Sequence, residues 1–268
     1  MKLIMFVLSV LGALSMPITS QAQQTLKVGT NSNGAPWSFH DTASNTEQGV
    51  SIELIKEVAK DAGFQIELVP MGFGDLIVAL NSNKIDIIAA NLLITPERQA
   101  LVAFSDAIAP GGDGLIVPKS DNKEYKTLDD LKGFAVGTQA GPFAAAMQKR
   151  GLFPDLKIYP NGTEAMRAVS AAEIKAAVVG VNGAAYEIKL SHFPDLKLVK
   201  SYQPLLQSVD AFSVRKSDSE LLNKINISLA KLHANGTVKR ILSTYGQLDA
   251  SRLCRLGVAR RLRADSVL

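Results

Sequence analysis

The stretch that decides the fold covers residues 50–69, VSIELIKEVAKDAGFQIELV. Its first part places apolar side chains at spacings of three and four, at Ile52, Ile55, Val58, Ala59 and Ala62. Because Gly63 then supplies a stop signal, this part is predicted to be an amphipathic helix. Residues 66–69 form a short apolar run typical of a buried strand, and residues 26–29 form another. Strand, helix and strand in this order predict an α/β protein with mainly parallel sheets.

The same alternation continues along the chain. Further strands are predicted at 85–89, 114–118, 134–138, 156–159, 176–179, 196–199 and 209–214, and further helices at 76–80, 142–150, 163–171 and 221–232. At 268 residues a single hydrophobic core has usually stopped growing, so two domains are expected. The polar stretch 119–126 is predicted to cross between them, and 209–214 to return. These crossings define a discontinuous first lobe, 23–118 and 210–251, and a second lobe, 119–209.

The composition excludes several classes of protein. With 47% apolar and 20% charged residues, the chain is too apolar to be disordered. Its formal charge is +4, but the segment 252–268 holds five arginines, so the remainder is nearly neutral and lacks the basic stripe of a nucleic-acid binder. The single cysteine, Cys254, excludes an intramolecular disulfide and a cysteine-based zinc site, and the three histidines lack metal-ligand spacing. We therefore expect no metal, no cofactor and no nucleic-acid partner.

Both ends of the chain differ from its body. Lys2 precedes an apolar run at 3–14, and Pro17 and the small residues around Ala22 follow, which predicts a secretory signal peptide at 1–22. No cysteine follows the run, so we expect no lipid anchor and a protein released into the periplasm. The Arg-rich end, 252–268, shows no amphipathic stripe and is expected to be a disordered, dispensable tail.

Several short segments of the body have a specific order and spacing, although each alone is a weak signal. They are APWSF (35–39), GVSIEL (49–54), DLIVAL (75–80), KIDII (84–88), ITPER (94–98), FSD (104–106), LDDLKG (128–133), VG (136–137) and ILSTYG (241–246). Together they resemble the family 3 periplasmic solute-binding proteins of ABC importers, the group that binds polar amino acids. The resemblance extends from residue 26 to about residue 246.

This resemblance implies a two-lobed periplasmic-binding-protein fold of type II. In that fold each lobe is a mainly parallel sheet flanked by helices, and a two-stranded hinge lets the lobes close over a small solute. The resemblance also implies a membrane ABC permease as partner. We expect the protein to be a monomer.

The sharpest chemical signal is the segment 95–98, Thr-Pro-Glu-Arg. Thr95 can cap a helix and Pro96 suits its first position, which places Arg98 in the first turn, beside free backbone N–H groups. A guanidinium can grip a carboxylate with two parallel hydrogen bonds, and the resembled family uses the matching arginine for the carboxylate of its solute. The alternative is a surface arginine paired with Glu97 or Asp106.

The resemblance assigns further ligand contacts to both lobes. These are Asn31, Trp37, Phe73 and Asn91 on the first lobe, and Gln139, Gly141, Pro142 and Phe143 on the second. Core packing is the alternative for the aromatic side chains, and each asparagine could equally finish a strand or turn. A mostly apolar pocket with a few fixed polar groups is typical of small-molecule sites.

The chain departs from the family pattern at three positions. Leu93 and Pro142 stand where the family commonly has hydroxyl side chains, and Gly180 stands where it has the aspartate that holds the ammonium of the solute. Asn182 could replace that aspartate only in part, because an amide lacks its charge. We therefore expect a carboxylate-bearing solute that needs no α-ammonium group, such as an organic acid or a modified amino acid, with ordinary polar amino acids as the family average.

Enzymes of the same fold are the competing interpretation. Cyclohexadienyl dehydratase-like enzymes and peptidoglycan lyases share this architecture and require a positioned acid or base. The first-lobe segments offer Glu47, Glu53 and Asp106, none within a recognisable catalytic motif, so no catalytic residue is predicted. A receptor ectodomain is disfavoured because no second apolar span of 18 or more residues follows the lobes. A solute-binding protein is favoured.

Overall fold

The structure is a computed structural model that describes residues 25–247. Its strands are β1 (Thr25–Thr30), β2 (Asn33–Gly34), β3 (Ser38–Asp41), β4 (Thr46–Gln48), β5 (Gln65–Pro70), β6 (Ile87–Ile88), β7 (Ala103–Phe104), β8 (Ala109–Pro118), β9 (Val136–Gln139), β10 (Lys157–Tyr159), β11 (Ala176–Gly180), β12 (Leu196–Leu198), β13 (Gln207–Asp210) and β14 (Ser213–Val214). Its α-helices are α1 (Val50–Ala62), α2 (Leu76–Asn81), α3 (Pro96–Leu101), α4 (Pro142–Arg150), α5 (Gly162–Ser170), α6 (Val181–Lys189), α7 (Ser219–Ala234) and α8 (Thr237–Thr244). Short 3-10 helices cover Phe73–Asp75 and Leu128–Leu131. The expected signal peptide and Arg-rich tail lie outside the described residues.

The first sheet has the strand order β5-β1-β6-β14-β7. Strand β1 pairs in parallel with both β5 and β6, and α1 connects the β1 side of the sheet to β5 as the sequence predicts. Strand β14 comes from the far end of the chain and runs antiparallel between β6 and β7. The first lobe is therefore built from two separate stretches of sequence.

The second sheet has the order β10-β9-β11-β8-β12. Its strands β10, β9 and β11 are parallel, while β8 is antiparallel to β11 and β12. A small antiparallel sheet, β2-β3-β4, was not predicted from the sequence. The predicted α/β architecture is confirmed for both large sheets.

Strands β8 and β13 form the two-stranded connection between the sheets. Strand β13 pairs with the start of β8, from Gln207 opposite Gly112 to Asp210 opposite Ala109. The predicted boundary at residue 118 is corrected by this pairing, because residues 113–118 of β8 pair with β11 and β12 of the second sheet. The stretch 119–126 is likewise no linker, since Tyr125 is fully buried in the core of the second lobe.

Helices cover both faces of each large sheet, so each lobe holds two apolar layers. In the first lobe, α1 packs with α7 and α8 in one layer, and α2 packs in the other. In the second lobe, α5 and α6 share one layer, and α4 packs in the other. Fully buried residues such as Ile55 and Leu229 each stabilise the fold by about 1.5–3 kcal/mol relative to an exposed side chain.

Candidate functional site

A cleft of about 670 Å³ lies between the two sheets, next to the connecting strands. Its walls come from segments that follow the carboxyl ends of β1 and β6 in the first lobe and of β9, β10 and β11 in the second. This is the position where open α/β sheets generally hold ligands. All residues predicted as ligand contacts line this cleft: Asn31, Trp37, Phe73, Asn91, Arg98, Gln139, Gly141, Pro142, Phe143, Gly180 and Asn182. The fold gathers these residues around one space, and their contact with a solute stays a prediction.

Arg98 is held in place by its own helix start. Thr95 is the N-cap of α3, and its hydroxyl oxygen accepts the backbone N–H of Arg98 at 3.3 Å. The guanidinium donates from Nη1 to the carbonyl oxygen of Leu93 at 2.9 Å. It also lies over the ring of Phe73, with Cζ 5.6 Å from the ring centroid. One edge of the guanidinium is thus fixed by the protein, which orients its remaining donors.

The expected alternative, an arginine paired on the surface, is not observed. Among residues 25–247, no carboxylate lies within ion-pair distance of Arg98. Partial burial lowers the pKa of the Arg98 guanidinium, against an opposite effect of Glu97. An arginine nevertheless keeps its charge in proteins. The cleft therefore contains a half-buried positive charge without an acidic partner in the described part of the chain.

The asparagines of the first wall differ in what they still offer. Asn91 has φ 53°, a left-handed conformation that is uncommon outside glycine, and its buried Oδ1 has no hydrogen-bond partner within residues 25–247. Strained residues with unpaired buried acceptors concentrate at functional sites. In contrast, Oδ1 of Asn31 accepts the backbone N–H of Asn33 at 2.7 Å, which closes a local turn. Asn91 is thus the better placed of the two to accept from a solute.

Trp37 serves the first-lobe core as well as the cleft. Its side chain is 1% exposed and packs within the apolar layer of α1, so the core-packing alternative describes most of its surface. Its Nε1 is buried, and no described residue accepts a hydrogen bond from it. Phe73, at 38% exposure, is the more open aromatic residue of the wall.

The second wall is neutral at the predicted contact positions. Gly141 is the N-cap of α4 with φ 111°, a conformation that L side chains rarely adopt, and Pro142 occupies the first helical position. Oε1 of Gln139 accepts the backbone N–H of Gly180 at 3.0 Å, and Phe143 is 2% exposed. These contacts fix the shape of the wall and bring no formal charge to it.

The structure leaves room for a side chain at Gly180. Its φ is −55°, and an added Cβ would meet Gln139 and Phe143 only at 3.7 and 3.8 Å, which is ordinary van der Waals contact. Asn182 is less available than expected, since its Nδ2 donates to the carbonyl of Pro110 at 3.0 Å and to Oδ2 of Asp210 at 2.8 Å. The amide of Asn182 therefore ties α6 to the connecting strands.

Sequence reasoning missed two acidic residues of the cleft, Asp210 and Glu187. Asp210 is 1% exposed, and burial raises the pKa of its carboxyl well above the usual range, while the hydrogen bond from Asn182 acts in the opposite direction. Glu187 is engaged by His192 Nδ1 at 2.8 Å and by the hydroxyl of Thr163 at 3.4 Å. An acidic residue inside the apolar return strand was the available signal for Asp210.

The acidic side chains considered from sequence do not line the cleft. Glu47 binds the hydroxyl of Ser32 at 3.0 Å and His40 at 3.2 Å, and Glu53 binds the hydroxyl of Tyr245. Asp106 is likewise absent from the cleft walls within the described residues. None of the three is therefore placed to act on a solute in this cleft.

Residues 25–247 show neither a metal-binding cluster nor a membrane-spanning helix. No group of three or more histidine, cysteine or acidic side chains is arranged there to hold a metal ion. In the same residues, no helix combines the length and the apolar character needed to cross a membrane.

The chain is similar in sequence to known amino-acid-binding proteins. The arginine-binding extracellular protein ArtP of Bacillus subtilis is 30% identical over 236 residues, which are 83% of this chain and 86% of that protein. The lysine/arginine/ornithine-binding periplasmic protein of Escherichia coli is 30% identical over 254 residues, 91% of this chain and 97% of that protein.

The solved structures that are similar include an ancestral amino acid-binding protein described as a precursor of cyclohexadienyl dehydratase. It is 32% identical with a TM-score of 0.69, covering 83% of this chain and 96% of that one. The architecture is thus the two-lobed type II periplasmic-binding-protein fold. Residues 26–248 match one family over most of the chain, and the protein belongs to the bacterial extracellular solute-binding proteins, family 3.

Proposed function

We propose that this protein captures a small carboxylate-bearing solute, an amino acid, a modified amino acid or an organic acid, between its two lobes. The observation that carries the proposal is the guanidinium of Arg98, half-buried in the cleft without an acidic partner in the described part of the chain. A charge in such a position is stabilised by an anion, and a carboxylate matches the fork of donors. The amino acids named for the two relatives, which carry carboxylates, support the same class of solute.

The proposed role is delivery of the solute to a membrane ABC permease. The cleft adjoins the two connecting strands, so a rotation about β8 and β13 would close the lobes over the solute. We propose lobes that meet near residues 112 and 207, a cleaved leader at 1–22 without a lipid anchor, and a periplasmic monomer. The family to which the chain belongs consists of extracellular solute-binding proteins, which supports this setting.

Catalysis on the same fold is the competing function. Two observations favour considering an enzyme. One similar structure is described as a precursor of a dehydratase, and Asp210 is a buried acid in the cleft. We propose binding because, among residues 25–247, the carboxyl of Asp210 is hydrogen-bonded only to the amide of Asn182 and forms no ion pair with a basic side chain.

One experiment tests both parts of the proposal. The purified protein is denatured, and the solute released is identified by mass spectrometry and returned to fresh protein in a calorimetric titration. We expect a carboxylate-containing compound that binds once per chain and is recovered unchanged. A released compound without an anionic group would contradict the binding proposal. Conversion of the compound, or of prephenate supplied in its place, would show an enzyme.

A further inference from the structure

Two buried aspartates lie on the pair of strands that connects the lobes, and they differ in the hydrogen bonds that their carboxyl oxygens accept. Asp113 on β8 and Asp210 on β13 are each 1% exposed. The oxygens of Asp113 accept the backbone N–H groups of Leu205 and Leu206, at 3.1 and 2.6 Å, and the hydroxyl of Tyr202 at 2.8 Å. Asp113 is therefore fully engaged by its own lobe.

Asp210 has one hydrogen-bonded oxygen and one without a partner. Its Oδ2 accepts from Nδ2 of Asn182 at 2.8 Å, and its buried Oδ1 has no partner among the described residues. No basic side chain in residues 25–247 forms an ion pair with it. A buried acceptor left unpaired is costly, and an unpaired buried charge more so, which makes this carboxyl a candidate for an external partner.

The cleft reaches Asp210 at the connecting strands. Asp210 and Gly111 both line the cleft, and a Cβ at Gly111 would stand only 3.3 Å from each oxygen of the carboxyl. The φ of Gly111 lies outside the left-handed region, so glycine is not required there by backbone conformation. A side chain at this position would instead crowd the carboxyl where both residues line the cleft.

We propose that Asp210 accepts a hydrogen bond from a positively charged nitrogen of the bound solute and thereby determines specificity. The inference rests on the proposed binding function and narrows its solute class to compounds with both a carboxylate and a cationic nitrogen. Arg98 and Asp210 then bind opposite charges of one molecule within the same cleft. Because Gly180 alone had suggested that an ammonium group is not needed, this inference replaces that expectation: the acceptor comes from β13 instead of from the end of β11.

The ionisation of Asp210 supports the inference and supplies a readout. Burial raises the pKa of its carboxyl in the absence of solute, so the protonated form is favoured. A cation at Oδ1 would lower that pKa again, so binding should release a proton in the pH range between the pKa values of the free and the bound protein. The other ionisable groups on neighbouring elements are Asp113 on β8 and Tyr186, Glu187 and Lys189 on α6, with Arg98 across the cleft. Glu187 and Asp113 are already held by hydrogen bonds, as described above.

The test compares pairs of probes that differ in one charged nitrogen. L-glutamine is paired with 4-carbamoylbutanoate, which lacks the α-ammonium, and L-arginine is paired with L-citrulline, which lacks the side-chain cation. Affinities are measured by calorimetry in phosphate and in Tris, whose different ionisation enthalpies reveal proton release. In the wild-type protein we expect the charged member of at least one pair to bind at least about tenfold more tightly.

Two isosteric variants assign this preference to one residue. In Asp210→Asn the preference should fall below about threefold, and the proton release should disappear. Asp113→Asn changes a buried carboxyl on the paired strand that does not line the cleft, so it can cost stability while the preference remains. A preference that survives in Asp210→Asn would overturn the inference. So would equal binding of both members of each pair to the wild-type protein.

These outcomes separate the inference from the proposed function. If the solute released from the protein has a carboxylate and no cationic nitrogen, the function stands and the role of Asp210 is wrong. If none of the four probes binds at up to about 10 mM and the released compound has no anionic group, the proposed function is wrong and the inference falls with it.

Discussion

The two walls of the cleft differ in the chemical groups that they present to it. The first-lobe wall carries a formal charge at Arg98, an aromatic face at Phe73 and a strained amide at Asn91. The predicted contacts of the second-lobe wall carry no formal charge, and its ionisable residue Glu187 is already hydrogen-bonded; these contacts are Gln139, Gly141, Pro142, Phe143, Gly180 and Asn182. Under the proposed function, the first wall would therefore bind the solute through charge, while the second wall would contribute shape.

The largest effect is expected from removing the charge of the first wall. Arg98→Ala should weaken binding of the identified solute about a hundredfold, because two charge-assisted hydrogen bonds are lost. Arg98→Lys keeps the positive charge and loses the parallel donors of the guanidinium. Its affinity should therefore lie between those of the wild-type protein and Arg98→Ala. Calorimetric titration gives the affinities, and circular dichroism checks the fold. An affinity of Arg98→Ala within threefold of the wild-type value would show that the charge of the first wall does not contribute to binding.

A change in the second wall should act on stability. Gly141→Ala forces a side chain into φ 111° and ψ −148°, which should reduce the free energy of unfolding by about 2 kcal/mol even though no atom would clash with the new Cβ. Gly180→Ala is the matched control, since its φ is −55° and its Cβ has room. Urea unfolding monitored by circular dichroism measures both. An equal free energy of unfolding for the two variants would show that the backbone at residue 141 changes its conformation to accept the side chain.

Adding a charge to the second wall should make the two walls more alike. Gly180→Asp places a carboxylate where the backbone and the space allow it, and should raise the preference for L-glutamine over 4-carbamoylbutanoate by about tenfold. Gly180→Asn has nearly the same shape without the charge, so it should leave the preference near its wild-type value. Parallel calorimetric titrations of the two variants measure this preference. An equal change of the preference in both variants would show that the shape of the side chain causes it and not its charge.

The smallest expected effect concerns Asp210, between the walls. Burial raises its pKa in the folded protein, so ionisation disfavours folding as the pH rises above the ordinary value near 4. Asp210→Asn does not titrate, so its ligand-free Tm should exceed that of the wild-type protein by a few degrees at pH 8, with a smaller difference at pH 4. Scanning calorimetry at the two pH values measures this. A constant difference would mean that the carboxyl does not titrate in the range.

Periodicity predicted the helices and strands that pack in the lobes, and it missed those whose position depends on the cleft. The helix at Pro142–Arg150 was predicted with its observed bounds, because proline at its start and glycine after its end mark it in the sequence. Helix α6 was not predicted, since it follows Gly180 directly without a capping side chain and contains Gly183.

The residues of the candidate site were predicted better than the hydrogen bonds that they form. The residues predicted from the resemblance line one cleft. The resemblance could not show that the side-chain amide of Asn182 donates hydrogen bonds to Pro110 and Asp210. Asp210 itself gave little signal, because its burial arises from pairing between β13 and β8, nearly a hundred residues apart in sequence. Contacts of this kind are set by tertiary structure, which a single sequence does not reveal.

The insertion of β14 between β6 and β7 has a consequence for the order of folding. The first sheet cannot be completed until residues 213–214 have been synthesised, whereas the second sheet is contiguous from β8 to β12. Contacts between distant segments form slowly, and domains tend to fold in the order in which they are made. The lobe that appears second in the sequence can therefore finish first. Until then, β6 lacks the strand that covers its edge, although its length of two residues leaves little backbone there for mispairing.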